Sequence, residues 1–295
     1  MQEKTEPVTV STSAIEHAAI VGGGFMGSGI AESVAVAGLP VVVCDVDERG
    51  IERARGRIEK SLQRAVSRGK LDAARADAVR GRIDLTTDLQ AIAPANLIVE
   101  SVPENRGLKL EVMDAIDGIV APDAIVASNT SAIPIAELAQ AVRAPGRVLG
   151  IHFFSPVPVM SLVEIVVALD TAEETVARAK SFAEQIGKYP IETKDRSGFI
   201  VNMLLVPYLM AGVRMFEEGF ASREDIDAGM KLGCGHPMGP LTLSDFIGLD
   251  VLYAMGNSLY DEFKRNEYAP PPLLKRMLAS GRLGRKSGCG FYTYE

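Results

Sequence analysis

The stretch Ala18-Ala19-Ile20-Val21-Gly22-Gly23-Gly24-Phe25-Met26-Gly27-Ser28-Gly29-Ile30-Ala31 constrains the fold more than any other part of the chain. A short apolar run, a glycine cluster and a small-residue helical pattern predict a strand, a tight turn and a buried helix packed closely together. Gly22, Gly24 and Gly27 stand at G-x-G-x-x-G spacing, and each has its own task. Gly22 permits the turn, Gly24 lets a pyrophosphate approach the backbone, and Gly27 lets the helix lie against the strand. The first-turn amides, those of Phe25 and Met26 among them, then face an anion. A second apolar run, Pro40-Val41-Val42-Val43-Cys44, ends in Asp45, eighteen residues after Gly27. An acid at the tip of that strand accepts hydrogen bonds from an adenosine ribose and repels a 2′-phosphate. Glycine turn and acid together predict a dinucleotide site, with NAD favoured over NADP. Asp47 is a nearby alternative acid, and Arg49 could compensate a phosphate.

With 295 residues, 47% of them hydrophobic and 23% charged, the chain can bury one large core or two smaller ones, and two domains are expected. The longest apolar run of its C-terminal part, Met203 to Val213, is too short to span a bilayer, and the N-terminus lacks a basic region followed by an apolar one. Those readings predict no membrane partner and a loose polar tail over residues 1 to about 15. Cys44, Cys234 and Cys289 form no C-x-x-C, which supports neither a disulfide frame nor a metal site and fits a cytoplasmic location. A net charge of −7 argues against general nucleic-acid binding. That total hides a segregation, because residues 49–82 carry eleven Lys and Arg against four Asp and Glu, a net +7 that leaves −14 on the rest. Such a run is either a solvated helical pair or a landing surface for a polyanion such as the phosphates of coenzyme A.

Along the chain, strand and helix patterns alternate. A helical pattern from Asp45 to about Ser67, a break at Gly69 and a short helix over 72–79 predict a helical hairpin longer than an ordinary crossover. Strands are expected over 83–86, 96–101, 124–128 and 148–154, with a helix over 106–119. This is the pattern of a doubly wound, Rossmann-type, mostly parallel α/β sheet, in which ligands collect beyond the carboxyl ends of strands. Glu104, Lys109, Asn129, Thr130 and Ser131 fall just beyond such ends.

The strand ending His152-Phe153-Phe154 is followed by Ser155-Pro156-Val157-Pro158 and then by the run 162–167. The prolines mark a connection, so the two runs can fold back on each other. His152 and Glu164 are equidistant from Pro158, and a symmetric hairpin places them opposite one another on one face. A carboxylate beside an imidazole fixes its tautomer and steadies the ring, as a general base requires. A helix over 172–186 and a strand over 189–193 complete a first domain at 16–193. Beyond the polar link at 194–198 the chain reads as an all-α second domain, 194–295, with helices over 199–218, 223–232, 244–265 and 272–280. Asn202 is a polar residue inside the apolar run Phe199 to Leu205, and a substrate oxygen or a neighbouring helix is its expected partner.

Several ordered motifs carry a family resemblance from about residue 17 to Tyr294. They are Gly22 to Gly27, Ser128-Asn129-Thr130-Ser131, His152 to Met160, Gly198 to Asn202, Pro237-Met238-Gly239-Pro240 with Gly248-Leu249-Asp250, and Gly288 to Tyr292. In these the chain resembles the L-3-hydroxyacyl-CoA dehydrogenases, and more closely their stand-alone bacterial 3-hydroxybutyryl-CoA branch. The resemblance implies NAD-dependent interconversion of an (S)-3-hydroxyacyl-CoA and its 3-oxoacyl-CoA. It implies His152 as general base, Glu164 as its orienting acid, and Ser131 and Asn202 as substrate-positioning residues. It puts Glu104 and Lys109 along the nicotinamide half of the cofactor, with Asn129, Ser131 and Ser155 beside it, and Asp45 on the adenosine ribose. Ser61 and Arg68 match coenzyme A contacts, and a homodimer through the helical domain is expected. Two departures stand out. Ser155 replaces the family's usual asparagine, and Met203 an arginine that commonly follows the motif asparagine. Two other readings remain. A phosphogluconate-type β-hydroxyacid dehydrogenase uses a lysine four residues before the helix asparagine, where this chain has Gly198, and a non-enzymatic NAD-binding relative would share the fold.

Overall fold

The computed structural model describes residues 14–294. The expected N-terminal tail lies mostly outside them, although Ile15 is already packed into the core. The chain separates into two compact units, one running to Asp195 and the other starting at Arg196.

In the first unit, β1 (Ala18–Val21) leads through the glycine turn into α1 (Phe25–Val36) and β2 (Val41–Cys44). The helical hairpin follows as α2 (Glu48–Ser67), capped by the Asp47 carboxylate, and α3 (Ala73–Arg80), capped by that of Asp72. Next come β3 (Ile83–Thr86), β4 (Leu97–Glu100), α4 (Arg106–Asp117), β5 (Ile125–Ser128) and a one-turn α5 (Ile135–Leu138). The unit closes with β6 (Val148–Phe153), β7 (Leu162–Val167), α6 (Glu173–Gln185) and β8 (Tyr189–Lys194). Among the described residues the strands form one sheet in the order β3-β2-β1-β4-β5-β6-β7-β8. All pairs are parallel except β6 with β7.

The central strands are apolar because both faces are covered by helices. Ile20, Val43, Val99, Ala127 and Ile151 are 0% exposed. Full burial of an aliphatic side chain of this size contributes about 1.5–3 kcal/mol, so this row of contacts, rather than any polar pair, fixes the sheet. The parallel order brings the carboxyl ends of β1, β4, β5 and β6 to one edge, where the glycine turn, Ser131 and His152 lie.

The second unit is helical: α7 (Val201–Glu217), α8 (Arg223–Ala228), α9 (Pro240–Ile247), α10 (Leu249–Phe263) and α11 (Pro272–Ala279). Its core joins α7, α9, α10 and α11 through Val206, Met210, Leu241, Leu252 and Leu274. Two expectations are corrected here. The helix expected over 244–265 is two helices broken at Gly248, whose φ of +105° glycine tolerates and which lets Leu249 donate to the Leu283 carbonyl. The helix expected over 223–232 stops its regular turns at Ala228 and continues as a π-helical turn, Gly229–Gly233. Glycines at both ends of that turn lower its helical preference.

Candidate active site

The glycine turn is built for close approach. A Cβ on Gly22 would lie 2.6 Å from the Ser101 carbonyl oxygen, and one on Gly27 would fall on the Gly22 carbonyl oxygen. Above Gly24, by contrast, nothing lies within 4 Å. No side chain caps α1, so its first-turn amides are left to an incoming anion, and Phe25 beside them is 62% exposed while Met26 packs on the core. At the tip of β2 the Asp45 carboxylate accepts the Gly23 amide (2.9 Å) and the Val46 amide (2.7 Å). Arg57 reaches over from α2 and donates to the Gly23 carbonyl at 3.3 Å. An open backbone cradle, a helix N-terminus and a presented acid fit the pyrophosphate and ribose of a dinucleotide.

Four strands along the same edge, His152 stands near the end of β6. The antiparallel register pairs it with Glu164 of β7, as the symmetry about Pro158 expects. Its Nδ1 lies 2.7 Å from Glu164 Oε2 and its Nε2 lies 3.0 Å from Ser131 Oγ. With the Nδ1 proton directed to the carboxylate, Nε2 is the acceptor that faces the Ser131 hydroxyl. Both partners of the pair are deeply buried, His152 at 4% and Glu164 at 0% exposure. Phe154 packs edge-on to the ring at 4.7 Å between centroids. Asn129 ties the strand ends together, accepting the Phe153 amide (2.9 Å) and donating to Ser101 Oγ (3.4 Å). Ser155 is exposed in the connection that follows β6.

Ser131 is held by a layered set of charges. Glu104 Oε1 accepts Thr130 Oγ1 (2.5 Å) and the amides of Ser131 (3.0 Å) and Ala132 (3.1 Å). Lys109, which the resemblance puts along the cofactor, has its ammonium buried and bound to both Glu100 oxygens at 2.8 and 2.9 Å. Its link toward the open edge is Glu104, 3.4 Å away. Glu100 escaped the sequence reading, although a signal was present: a charged residue closing the fully buried run Leu97-Ile98-Val99 needs a counter-charge, and Lys109 follows nine residues later.

Not every expected residue joins this cluster. Ser61 and Arg68 both lie on the helical hairpin, about 10 Å apart along α2, with Ser61 half-buried and Arg68 exposed at its end. Ser61 hydrogen-bonds the buried Glu32 of α1, whose carboxyl is pushed up by burial and drawn back by that bond and by Lys188. Lys188 itself donates to the Val157 (2.6 Å) and Met160 (2.8 Å) carbonyls, bracing the connection after β6, and burial lowers its pKa. Asn202 belongs to the second unit, where it is 8% exposed in the first turn of α7. Among the described residues, no helix is long and apolar enough to cross a membrane.

Fold and edge geometry define a Rossmann-type, dinucleotide-binding oxidoreductase. Residues 17–196 match the family model for the 3-hydroxyacyl-CoA dehydrogenase NAD-binding domain, and 198–294 match the model for the C-terminal domain of the same family. The chain is 50% identical to a Mycobacterium tuberculosis 3-hydroxybutyryl-CoA dehydrogenase over 285 residues, 96% of this chain and 100% of that one. It is 38% identical to the pig mitochondrial hydroxyacyl-coenzyme A dehydrogenase over 288 residues, 95% of this chain and 92% of the relative. The crystal structure of M. tuberculosis FadB2 superposes with a TM-score of 0.95 at 49% identity, covering 96% of this chain and all of that one. That of the Ralstonia eutropha (S)-3-hydroxybutyryl-CoA dehydrogenase gives 0.91 at 42% identity over the same shares. The chain belongs to the 3-hydroxyacyl-CoA dehydrogenase family, and is an oxidoreductase of that class with an NAD-binding domain.

Proposed function

We propose that this chain interconverts (S)-3-hydroxybutyryl-CoA and acetoacetyl-CoA with NAD as the cofactor. The observation that carries the reading is the imidazole of His152, held by Glu164 on one nitrogen and by the Ser131 hydroxyl on the other, on the strand edge that also bears the glycine turn. The nicotinamide ring, when bound, supplies the hydride acceptor. In the oxidative direction the substrate hydroxyl proton passes to His152 Nε2 as hydride leaves C3 and the C3–O bond becomes a carbonyl. Glu164 stabilises the imidazolium that forms. Ser131 holds the reacting oxygen, so that C3 meets the cofactor in a reactive geometry, and Asn202 is a further substrate-positioning residue.

Asp45 favours NAD, because a carboxylate at the tip of β2, held by the Gly23 and Val46 amides, repels a 2′-phosphate. Glu104, Asn129 and Ser155 line the nicotinamide half, and Lys109 acts there through Glu104. Ser61 and Arg68 contact coenzyme A on the basic hairpin, and the protein works in the cytoplasm as a homodimer through its helical unit.

Acetoacetyl-CoA with NADH, and separately with NADPH, followed at the nicotinamide absorbance, tests the reading. Rapid oxidation of NADH and slow oxidation of NADPH are expected. His152→Gln should lower kcat by roughly 10²-fold to 10⁴-fold. Near-normal turnover in that variant removes the imidazole from the role.

A further inference from the structure

We propose that Glu100, a buried carboxylate one layer behind the reaction site, is a positioning residue that holds Ser131 at hydrogen-bond distance from His152. The inference rests on the reading above, in which Ser131 and His152 handle the substrate hydroxyl.

Two hydrogen-bonded routes leave Glu100 and converge on the turn that carries Ser131. The first is ionic: both carboxylate oxygens bind the Lys109 ammonium, which lies 3.4 Å from Glu104, and Glu104 Oε1 clamps the turn through the Ser131 amide. The second is direct: Ser128 Oγ donates to Glu100 Oε2 at 2.6 Å and accepts the Thr130 amide at 3.2 Å. Glu100 also accepts the Val102 amide at 2.7 Å, which pins the loop leaving β4. Glu100 is 0% and Lys109 1% exposed, so neither charge has water as an alternative partner.

A buried ion pair of this kind adds little net stability compared with apolar residues of the same volume, because desolvation offsets most of the attraction. What it adds is geometry. The carboxylate accepts four hydrogen bonds from three elements, namely the β4 end, α4 and the β5 end, and there is one arrangement in which all are made. A carboxamide at this position keeps the shape, loses the charge and replaces one acceptor with a donor facing Lys109. The ammonium then has Glu104 as its nearest acid, and Glu104 shares its oxygens between the ammonium and the turn. The Ser131 hydroxyl moves relative to Nε2, and a displacement near 1 Å at a positioning group costs on the order of 10²-fold in rate.

The experiment measures kcat and both KM values for Glu100→Gln, Ser131→Ala and the double variant, normalised to NADH-binding sites so that misfolded protein is not counted. Glu100→Gln is expected to lower kcat about tenfold to a hundredfold while KM for NADH moves by less than the fall in kcat, since the glycine turn and Asp45, which hold the adenosine half, are untouched although Glu104 is disturbed. The double variant should be no slower than the slower single variant, because both changes remove the same contact. Normal kcat per site in Glu100→Gln, or losses that multiply in the double variant, overturn the proposal. If Glu100→Gln does not fold, Ser128→Ala cuts only the direct route and leaves the ion pair. A smaller kcat loss that does not multiply with Ser131→Ala then supports the proposal, and normal kcat or multiplicative losses overturn it. Loss of activity in His152→Gln alongside normal Glu100→Gln rejects this inference alone, whereas an active His152→Gln rejects the functional reading beneath it.

Discussion

Each unit of the molecule buries carboxylates, and the two sets are used differently. In the second unit Asp227 and Asp245 are spent mainly on backbone. Asp227 accepts the amides of Leu241 and Thr242 at the start of α9, and Asp245 accepts those of Phe291 and Tyr292 near the C-terminus. The phenols of Tyr292 and Tyr294 complete these shells, donating to Asp227 and Asp245 respectively. In the first unit Glu164 and Glu104 instead address side chains and amides around the His152 imidazole and the Ser131 turn, and Glu100 binds Lys109 behind them. Depth of burial does not separate the two sets, since Asp245 is 1% exposed and Glu164 0%. The partners do: the acids of the second unit close a helix start and a chain crossing, and Glu164 faces a titratable ring, the partner that the proposed chemistry calls for.

The largest effect that bears on this contrast is expected from Glu164→Gln, which keeps the shape beside Nδ1 and removes the charge that the proposed mechanism uses to stabilise an imidazolium. kcat should fall by at least on the order of 10²-fold with little change in thermal midpoint. A variant that loses stability and keeps its turnover per folded molecule would erase the distinction. Asp245→Ala is the mirror experiment. It strands the amides of Phe291 and Tyr292, each worth about 1–3 kcal/mol when left unpaired in the interior, and should lower the unfolding midpoint of the helical unit by roughly 4–8 °C per kcal/mol. Calorimetry should register that drop while kcat per folded molecule holds.

Asp45 stands between the two types, because its carboxylate is fixed by backbone amides and is also the acid proposed to take the cofactor's ribose. Asp45→Asn should raise KM for NAD+ about tenfold, as expected for weakening a hydrogen bond to a charged acceptor, and narrow the gap to NADP+. Unchanged KM values for both cofactors would make it another scaffold acid.

The smallest effect is a pH dependence of the helical unit. Burial, followed by the hydrogen bond to Asp245, pushes the Tyr294 phenol up to about 12, and Tyr292 shifts in the same direction through burial and Asp227. The native state therefore binds more protons than the unfolded chain, whose phenols titrate near about 10. The stability this contributes is complete below about pH 10 and is lost as pH rises toward about 12. Midpoints measured between pH 9 and 12 should decline, and Asp245→Asn should flatten the decline. A profile as steep in that variant as in the parent removes the acid from the explanation.

Much of this was readable in the residues. The glycine turn with Asp45, the strand and helix alternation of the first unit, and the facing of His152 and Glu164 all follow from local rules of spacing and hairpin symmetry. Gly248 was read inside one long helix because the apolar period runs through it, and only its positive φ and the Leu249 contact with Leu283 reveal the break. Glu100 was missed for a different reason. Its partners come from α4 and from the next strand, and a network closed by tertiary packing leaves no period in the sequence. Ser61 was assigned by motif position alone, and its hydrogen bond to Glu32 depends on how α1 and α2 pack.

The antiparallel pairing of β6 with β7 has a consequence for how such a chain can change. Ring and carboxylate are neighbours because Gly150 faces Val166 and Phe153 faces Val163, and the ladder carries the alignment through every rung between. Residues added to the span that joins the two strands would bulge outward and leave the pair matched, whereas removing a single residue within either strand would turn one partner to the opposite side of the sheet. Drift in length is thus tolerable at the rim and forbidden a few ångströms inward.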